Sequence, residues 1–152
     1  MIYFRKLLFA VVVITIFSVT GLSQTQKELN ETYGEPKDRV YLLEFGIVSK
    51  VSFDRNGQAE VIKIFLDTEN VFGVSSLSYI SRETALKIIE NLTVKRRLGK
   101  LKEGITFSAG CTTIENSSYQ NVHIGKTLVC SSKRKPEIVS ISIRWKKNEE
   151  AD

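Results

Sequence analysis

Residues 40–66 read VYLLEFGIVSKVSFDRNGQAEVIKIFL, and this stretch decides the fold class. It contains three runs rich in β-branched and aromatic residues, at 40–45, 47–53 and 58–66. Gly46 separates the first two runs, and Asn56-Gly57 lies between the second and the third. Asn-Gly between alternating apolar runs is the strongest short-range signal for a β-hairpin, because its turn needs positive φ angles. The stretch therefore predicts three antiparallel strands in a meander.

Helix signals lie on both sides of the meander. Thr25 with Glu28 three residues later forms a capping box, and Gly34 is a C-terminal stop. A second helix is predicted to begin near Ser81, a favourable N-cap residue. Its core-facing stripe follows the i, i+3, i+4, i+7 spacing of an amphipathic helix, with Ala85, Ile88, Ile89 and Leu92.

The second half of the chain returns to strand patterns. Residues 67–79 and the basic segment 95–104 are predicted to be loops, and residues 116–118 a turn. A short strand is expected at 105–109, leading to Cys111, and longer ones at 119–130 and 137–146. The expected inward faces of the two longer strands are Val122, Ile124, Leu128 and Cys130 in the first, and Val139, Ile141, Ile143 and Trp145 in the second.

This order, helix-βββ-helix-ββ(β), is typical of an α+β fold. We expect an antiparallel sheet of about five strands with both helices packed on one face. Residues 24–147 form one domain by length, and residues 148–152 a charged, frayed tail.

Residues 1–23 have the three parts of a secretory signal. Arg5 and Lys6 precede an apolar run from Leu7 to Val19, which is shorter than the roughly 20 residues of a membrane-spanning helix. Cleavage is expected after Ser23, with Gly21 as the nearest alternative and a retained anchor as the less favoured one. Removal of this segment lowers the net charge from +5 to +3, because both of its charged residues are basic.

The chain has two cysteines, Cys111 and Cys130. In an oxidising compartment an even pair predicts a disulfide, whose loop of about 20 residues would be worth roughly 3 kcal/mol. The alternatives are two free buried thiols or half of a metal site. Zinc would need two more ligands, and His123 is the one histidine in the sequence.

Candidate functional residues are few. The densest positive run is a candidate anion-binding site, with a solvated loop as its alternative: Lys95, Arg96, Arg97, Lys100 and Lys102. Aromatic residues do not interleave with the basic runs and the charge is mild, so nucleic-acid binding is not expected. His123 lies on an outward strand face without a partner for acid–base chemistry. No catalytic residue, metal site or cofactor is therefore predicted.

Four segments resemble a group of uncharacterised exported bacterial proteins. They are YGEPKDRVY at 33–41, DRNGQ at 54–58, ITFSAGCTT at 105–113 and ISIRWKK at 141–147. The resemblance implies a bacterial envelope setting and a paired Cys111 and Cys130, and it implies no activity. The Gly-x-Pro turn between a helix and a three-stranded meander is also similar to small outer-membrane assembly lipoproteins.

These observations predict an exported, non-catalytic binding or structural module of the bacterial envelope or exterior. Its partner is expected to be an envelope or extracellular protein, with membrane contact only through an uncleaved signal segment. One alternative is a small exported enzyme, or an inhibitor that acts through an exposed loop near Cys111. The other is a salt-sensitive binder of anionic envelope surfaces.

Overall fold

The structure is a computed structural model that describes residues 24–36, 40–44, 46–69, 71–73, 78–130 and 136–146. The side chains of residues 94–97 are outside this description, as are the predicted signal segment and the predicted C-terminal tail. The described residues form two helices and seven strands.

The seven strands form a single antiparallel sheet, ordered β1-β2-β3-β7-β6-β5-β4. Their bounds are β1 Val40–Glu44, β2 Ile47–Phe53, β3 Ala59–Leu66, β4 Leu101–Ala109, β5 Thr112–Tyr119, β6 Val122–Cys130 and β7 Pro136–Trp145. The predicted α+β class and antiparallel sheet are confirmed. The prediction of about five strands is wrong, because the sheet has seven.

The β4–β5 hairpin accounts for most of this difference. The predicted loop at 95–104 instead completes the second helix up to Leu98 and begins β4 at Leu101, and the predicted turn at 116–118 lies inside β5. Strand β5 reads TTIENSSY, and none of its residues is fully buried. Because apolar alternation marks strands with a buried face, a mostly solvated strand carries little of that signal.

The predicted turn around Asn56-Gly57 is present as a five-residue connection between β2 and β3. Gly57 has φ 72°, and its N–H donates to the carbonyl of Asp54 over 3.1 Å. The Asp54 carboxylate also accepts from the N–H groups of Asn56 and Gln58, at 2.8 and 2.9 Å. The aspartate thus supplies acceptors for a loop longer than a two-residue hairpin turn.

The helices are α1, Gln26–Tyr33, and α2, Arg82–Leu98. The predicted capping box is confirmed, since Thr25 N–H donates to Glu28 Oε2 at 2.8 Å and Glu28 N–H donates to Thr25 Oγ1 at 3.2 Å. Ser81 caps α2 as predicted by accepting from Thr84 N–H at 3.0 Å. Neither of these helices is long and apolar enough to cross a membrane.

The hydrophobic core joins both helices to the central strands. The helices contribute all of the predicted stripe residues together with Leu29. The strand residues of this core cluster are Tyr41, Ile47, Ala59, Ile62, Ile64, Leu66, Val122, Ile124, Leu128, Ile138, Ile141, Ile143 and Trp145.

In β7, the prediction of the inward face is wrong by one position at Val139. Ile138 is buried and Val139 is half-buried, although the alternation predicted Val139 inward. The register between β6 and β7 shifts between Thr127 and Leu128, which pair with Ser140 and Ile138. The extra residue in β7 is a bulge that returns the next apolar side chain to the core.

Candidate functional site

Strand β4 is an edge strand that is solvated on both faces. It is last in the strand order, and each of its nine residues is exposed. An edge strand directs half of its backbone N–H and C=O groups away from the sheet. Among the residues that the structure describes, no second strand pairs with these groups on β4. Within the described residues, the outer backbone edge of β4 is therefore unpaired.

Three apolar side chains lie together on one face of this hairpin. Phe107 is directly opposite Ile114, and Ile105 lies two residues before Phe107 on the same side of β4. Their exposed fractions are 64% for Phe107, 55% for Ile105 and 38% for Ile114. We call Ile105, Phe107 and Ile114 the edge patch. It is the type of exposed apolar cluster that marks an interaction surface.

The two edges of the sheet differ in how they are protected. Strand β1 at the other edge has five residues, Tyr41 is buried, and Glu44 at its end accepts from Lys87 Nζ at 2.7 Å. Strand β4 has Lys102 and Glu103 at a register shift, but its residues 104–109 carry no charge, proline or bulge. Natural edge strands are usually blunted by one of these devices. The second part of β4 lacks them.

Contacts on the opposite face of β5 anchor the hairpin to the rest of the fold. Glu115 Oε1 lies 3.8 Å from Arg82 Nη2 in the first turn of α2, and Glu115 Oε2 lies 3.7 Å from Lys126 Nζ on β6. The Ser108 and Thr113 hydroxyls are hydrogen bonded at 3.0 Å. The edge patch is thus displayed on a supported strand pair.

The start of β4 is held by the turn between β5 and β6. Gln120 N–H donates to Lys100 C=O at 2.8 Å, and Asn121 N–H donates to Leu98 C=O at 3.2 Å. Gly99 between them has φ 71°, and a Cβ there would lie 2.5 Å from Gln120 Cβ. Glycine is therefore required where α2 turns into β4.

The predicted anion-binding residues are divided between two elements. Residues 95–97 belong to the last part of α2, and their side chains lie outside the described part of the chain. Lys100 and Lys102 are exposed at the start of β4. Two of the five residues are thus placed at one end of the open edge.

His123 is exposed on β6, as the alternation predicted. Its cross-strand neighbours are Ser118 and Arg144. Partial burial, followed by the charges of Lys146 and Arg144, lowers the pKa of His123 below its usual 6.5. A carboxylate partner would raise this pKa, so the surroundings are opposite to those of a His–Asp pair.

The predicted disulfide is wrong. Cys111 and Cys130 are free and exposed. The side chains of Cys130 and Leu128 are on the same face of β6. Leu128 is the last buried residue of this strand, and Cys130 lies beyond it. The Cys130 N–H donates to the Cys111 carbonyl at 2.9 Å. A disulfide requires a specific separation and orientation of the two side chains, and an even number of cysteines in the sequence determines neither.

Sequence reasoning missed the edge patch. A strand is recognised in sequence by its buried face, and the pattern that predicts a short strand at Ile105 and Phe107 does not contain the position of that strand in the sheet. The sequence feature that indicates an exposed apolar edge is the uncharged segment GITFSA at 104–109, followed by the polar strand β5. Within the described residues, no group of three or more His, Cys, Asp or Glu side chains is placed to hold a metal ion.

No known protein family matches this sequence, and no curated protein matches it. Among solved structures, the chain is similar to YjgB, a DUF4309 family protein from Bacillus subtilis subsp. subtilis str. 168. The two sequences are 13% identical, the match covers 84% of each chain, and the TM-score is 0.39. At this identity and TM-score, the likeness carries no argument about the family or the function of this chain.

Proposed function

We propose that this chain is a non-catalytic binding module that recognises an extended segment of a partner protein at the open edge of β4. The observation that carries the proposal is the exposure of the whole strand, on both faces and along its outer edge. In strand addition, main-chain hydrogen bonds provide affinity and alternate side chains provide specificity. Strand β4 offers both, through its free backbone groups and its edge patch.

The chemistry of β4 defines the partner segment. Residues 104–109 are uncharged and carry Ile105 and Phe107, so the matching part of the partner is uncharged with alternating apolar residues. Lys100 and Lys102 are exposed at the start of the strand together with Glu103, so this end carries a net positive charge and an acidic residue of the partner fits there. Covering a large apolar side chain is worth about 1.5–3 kcal/mol, which makes Phe107 the expected anchor.

We propose that both helices cover one face of the sheet, and that the edge patch belongs to the other. The core combines Leu29 of α1 and Leu92 of α2 with strand residues such as Ile143. Along the strand pairs, the row that contains Ile114 continues through Thr127 and Ser140. A partner strand added to β4 would therefore keep its apolar side chains away from the helices.

We also propose that the module acts outside the cytoplasm, on an envelope or extracellular protein. The support is the pattern of a charged start, an apolar run and small residues within 1–23. Expression in a bacterial host followed by N-terminal sequencing tests this. A mature start at Gln24 or Leu22 is expected, whereas a cytoplasmic chain that retains Met1 would contradict export.

Binding by strand addition can be tested with displayed random peptides of about ten residues. We expect the full chain to enrich extended segments with alternating apolar residues and an acidic residue near one end. Phe107→Lys should weaken binding of the enriched peptide at least about tenfold, which corresponds to 1.4 kcal/mol. Leu86→Lys is the matched control, since Leu86 is a large apolar residue that is 58% exposed and belongs to α2 rather than to β4.

Hydrogen exchange and peptide N-methylation identify the mode of binding. Strand addition predicts new protection of β4 amides in the complex, and loss of binding when alternate peptide residues are N-methylated. Enriched peptides that bind Phe107→Lys as well as the unmodified chain would contradict the proposal. Binding that is lost at high salt and is insensitive to Phe107→Lys would favour an anionic surface instead.

A further inference from the structure

The two cysteines lie side by side at the far end of the β4–β5 hairpin. Cys111 is in the turn between β4 and β5, and Cys130 is the last residue of β6. Because Thr112 pairs with Val129, the next pair along the two strands is Cys111 and Cys130. The backbone hydrogen bond of 2.9 Å between them continues the ladder.

The backbone holds this pair in place before any ligand is bound. Cys130 lies between Cys111 on one side and Pro136 of β7 on the other, so its position is fixed within the sheet. Cys111 follows Gly110, whose φ of 57° allows the tight turn. Both side chains are exposed, so a dissolved ion can reach the sulfur atoms without unfolding the strands.

The number of ligands decides which metal fits. Zinc sites in proteins take four ligands, and His123 is seven residues away along β6, about 23 Å from Cys130. The described part of the chain offers no third His, Cys, Asp or Glu beside the two cysteines. Thiolates select soft ions, and Cu(I) is stable with two sulfur ligands in a linear arrangement. We propose that Cys111 and Cys130 form a two-thiolate site for Cu(I).

Binding exchanges two protons for the metal ion. Each thiol loses its proton, two Cu–S bonds form, and two protons pass to solvent, with no change in the oxidation state of copper or sulfur. A cysteine thiol ordinarily has a pKa of about 8.5, so protons compete with the ion at neutral pH. The apparent affinity should therefore increase with pH, by up to about 100-fold per unit while both thiols are protonated.

The test is a titration of the full chain with Cu(I) under reducing, oxygen-free conditions, in competition with the chromogenic chelator bicinchoninate. We expect one Cu(I) per chain, and X-ray absorption with two sulfur neighbours and no nitrogen. Cys111→Ser and Cys130→Ser should each weaken binding at least about 100-fold, because a single thiolate remains. Ser108→Ala, on the same hairpin, is the matched control and should bind as the unmodified chain does.

Several results would overturn the site. Retention of the ion by the double variant Cys111→Ser/Cys130→Ser would place it elsewhere, and a sulfur count other than two would contradict the ligand set. A chain that reacts with no thiol reagent as isolated would show that the pair is not available. This site does not depend on strand addition at β4, since the Cu(I) titration uses no peptide and leaves Phe107 unchanged.

Discussion

Phe107 and Ile114 lie directly opposite each other across β4 and β5, and both side chains are exposed. Cross-strand pairs of an aromatic and a β-branched residue usually stabilise a sheet through the area that they cover, by about 0.2–1 kcal/mol. This pair buries little apolar surface, because the next residue across the sheet from Ile114 is the polar Thr127 rather than a core residue. Its expected contribution to folding is therefore small, and its availability to a partner is correspondingly large.

Phe107→Ala should lower the free energy of unfolding by less than about 1 kcal/mol. Ile143→Ala provides the contrast, since Ile143 is completely buried between Ile62 and Ile124. Removing its side chain should cost about 2–5 kcal/mol, because a cavity adds to the lost transfer energy. Denaturant unfolding followed by Trp145 fluorescence measures both. Equal losses for the two variants would mean that Phe107 is a core residue.

Thr25→Ala should destabilise the fold by about 0.5–2 kcal/mol, through loss of the α1 capping box. The substitution removes the hydroxyl that accepts from Glu28 N–H at 3.2 Å. Thr25→Ser keeps this acceptor and should retain most of the stability. Thermal unfolding of the two variants checks the prediction, and an equally low melting temperature for Thr25→Ser would assign the effect to the lost methyl group instead.

The parts of the fold that were predictable from sequence are those where local chemistry and burial agree. The capping box at Thr25, the stripe that includes Leu92 and the inward face of β7 from Ile141 to Trp145 were all identified. In each case, the side chains that define the element also bury against the core. The burial of these side chains therefore explains both the sequence pattern and the position of the element in the fold.

The parts that were not predictable depend on long-range placement. The position of β4 at an edge follows from the pairing of β7 between β3 and β6, which no local pattern encodes. The bulge that buries Ile138 in place of Val139 is set by the same pairing. The disulfide prediction for Cys111 and Cys130 rested on compartment and an even count, and neither contains the geometry of the pair.

His123 should titrate below its usual pKa of 6.5, because burial and the charges of Lys146 and Arg144 disfavour the imidazolium. The unfolded chain then takes up this proton at a higher pH than the folded chain. The contribution of His123 to stability is therefore complete above pH 6.5 and is lost as the pH falls through the folded pKa.

NMR titration of the His123 ring gives this pKa directly. Arg144→Gln removes one of the two neighbouring charges and should move the pKa upward, towards 6.5. His123→Gln should reduce the dependence of unfolding free energy on pH just below 6.5. A folded-state pKa at or above 6.5 would contradict this account of its surroundings.

Gly99→Ala and Gly110→Ala separate backbone strain from steric conflict, because both glycines have positive φ, at 71° and 57°. At Gly110 an added Cβ meets nothing within 4 Å, so the cost should be the left-handed conformation alone, about 1–2 kcal/mol. At Gly99 the Cβ would lie 2.5 Å from Gln120 Cβ, and the turn that holds the start of β4 must move.

Gly99→Ala should therefore lower the free energy of unfolding more than Gly110→Ala does, as measured by denaturant unfolding. It should also increase amide exchange at Gln120 and Asn121, whose N–H groups donate to the carbonyls on either side of Gly99. Equal costs, with unchanged exchange at Gln120, would show that α2 and β4 are not joined as tightly as these contacts indicate.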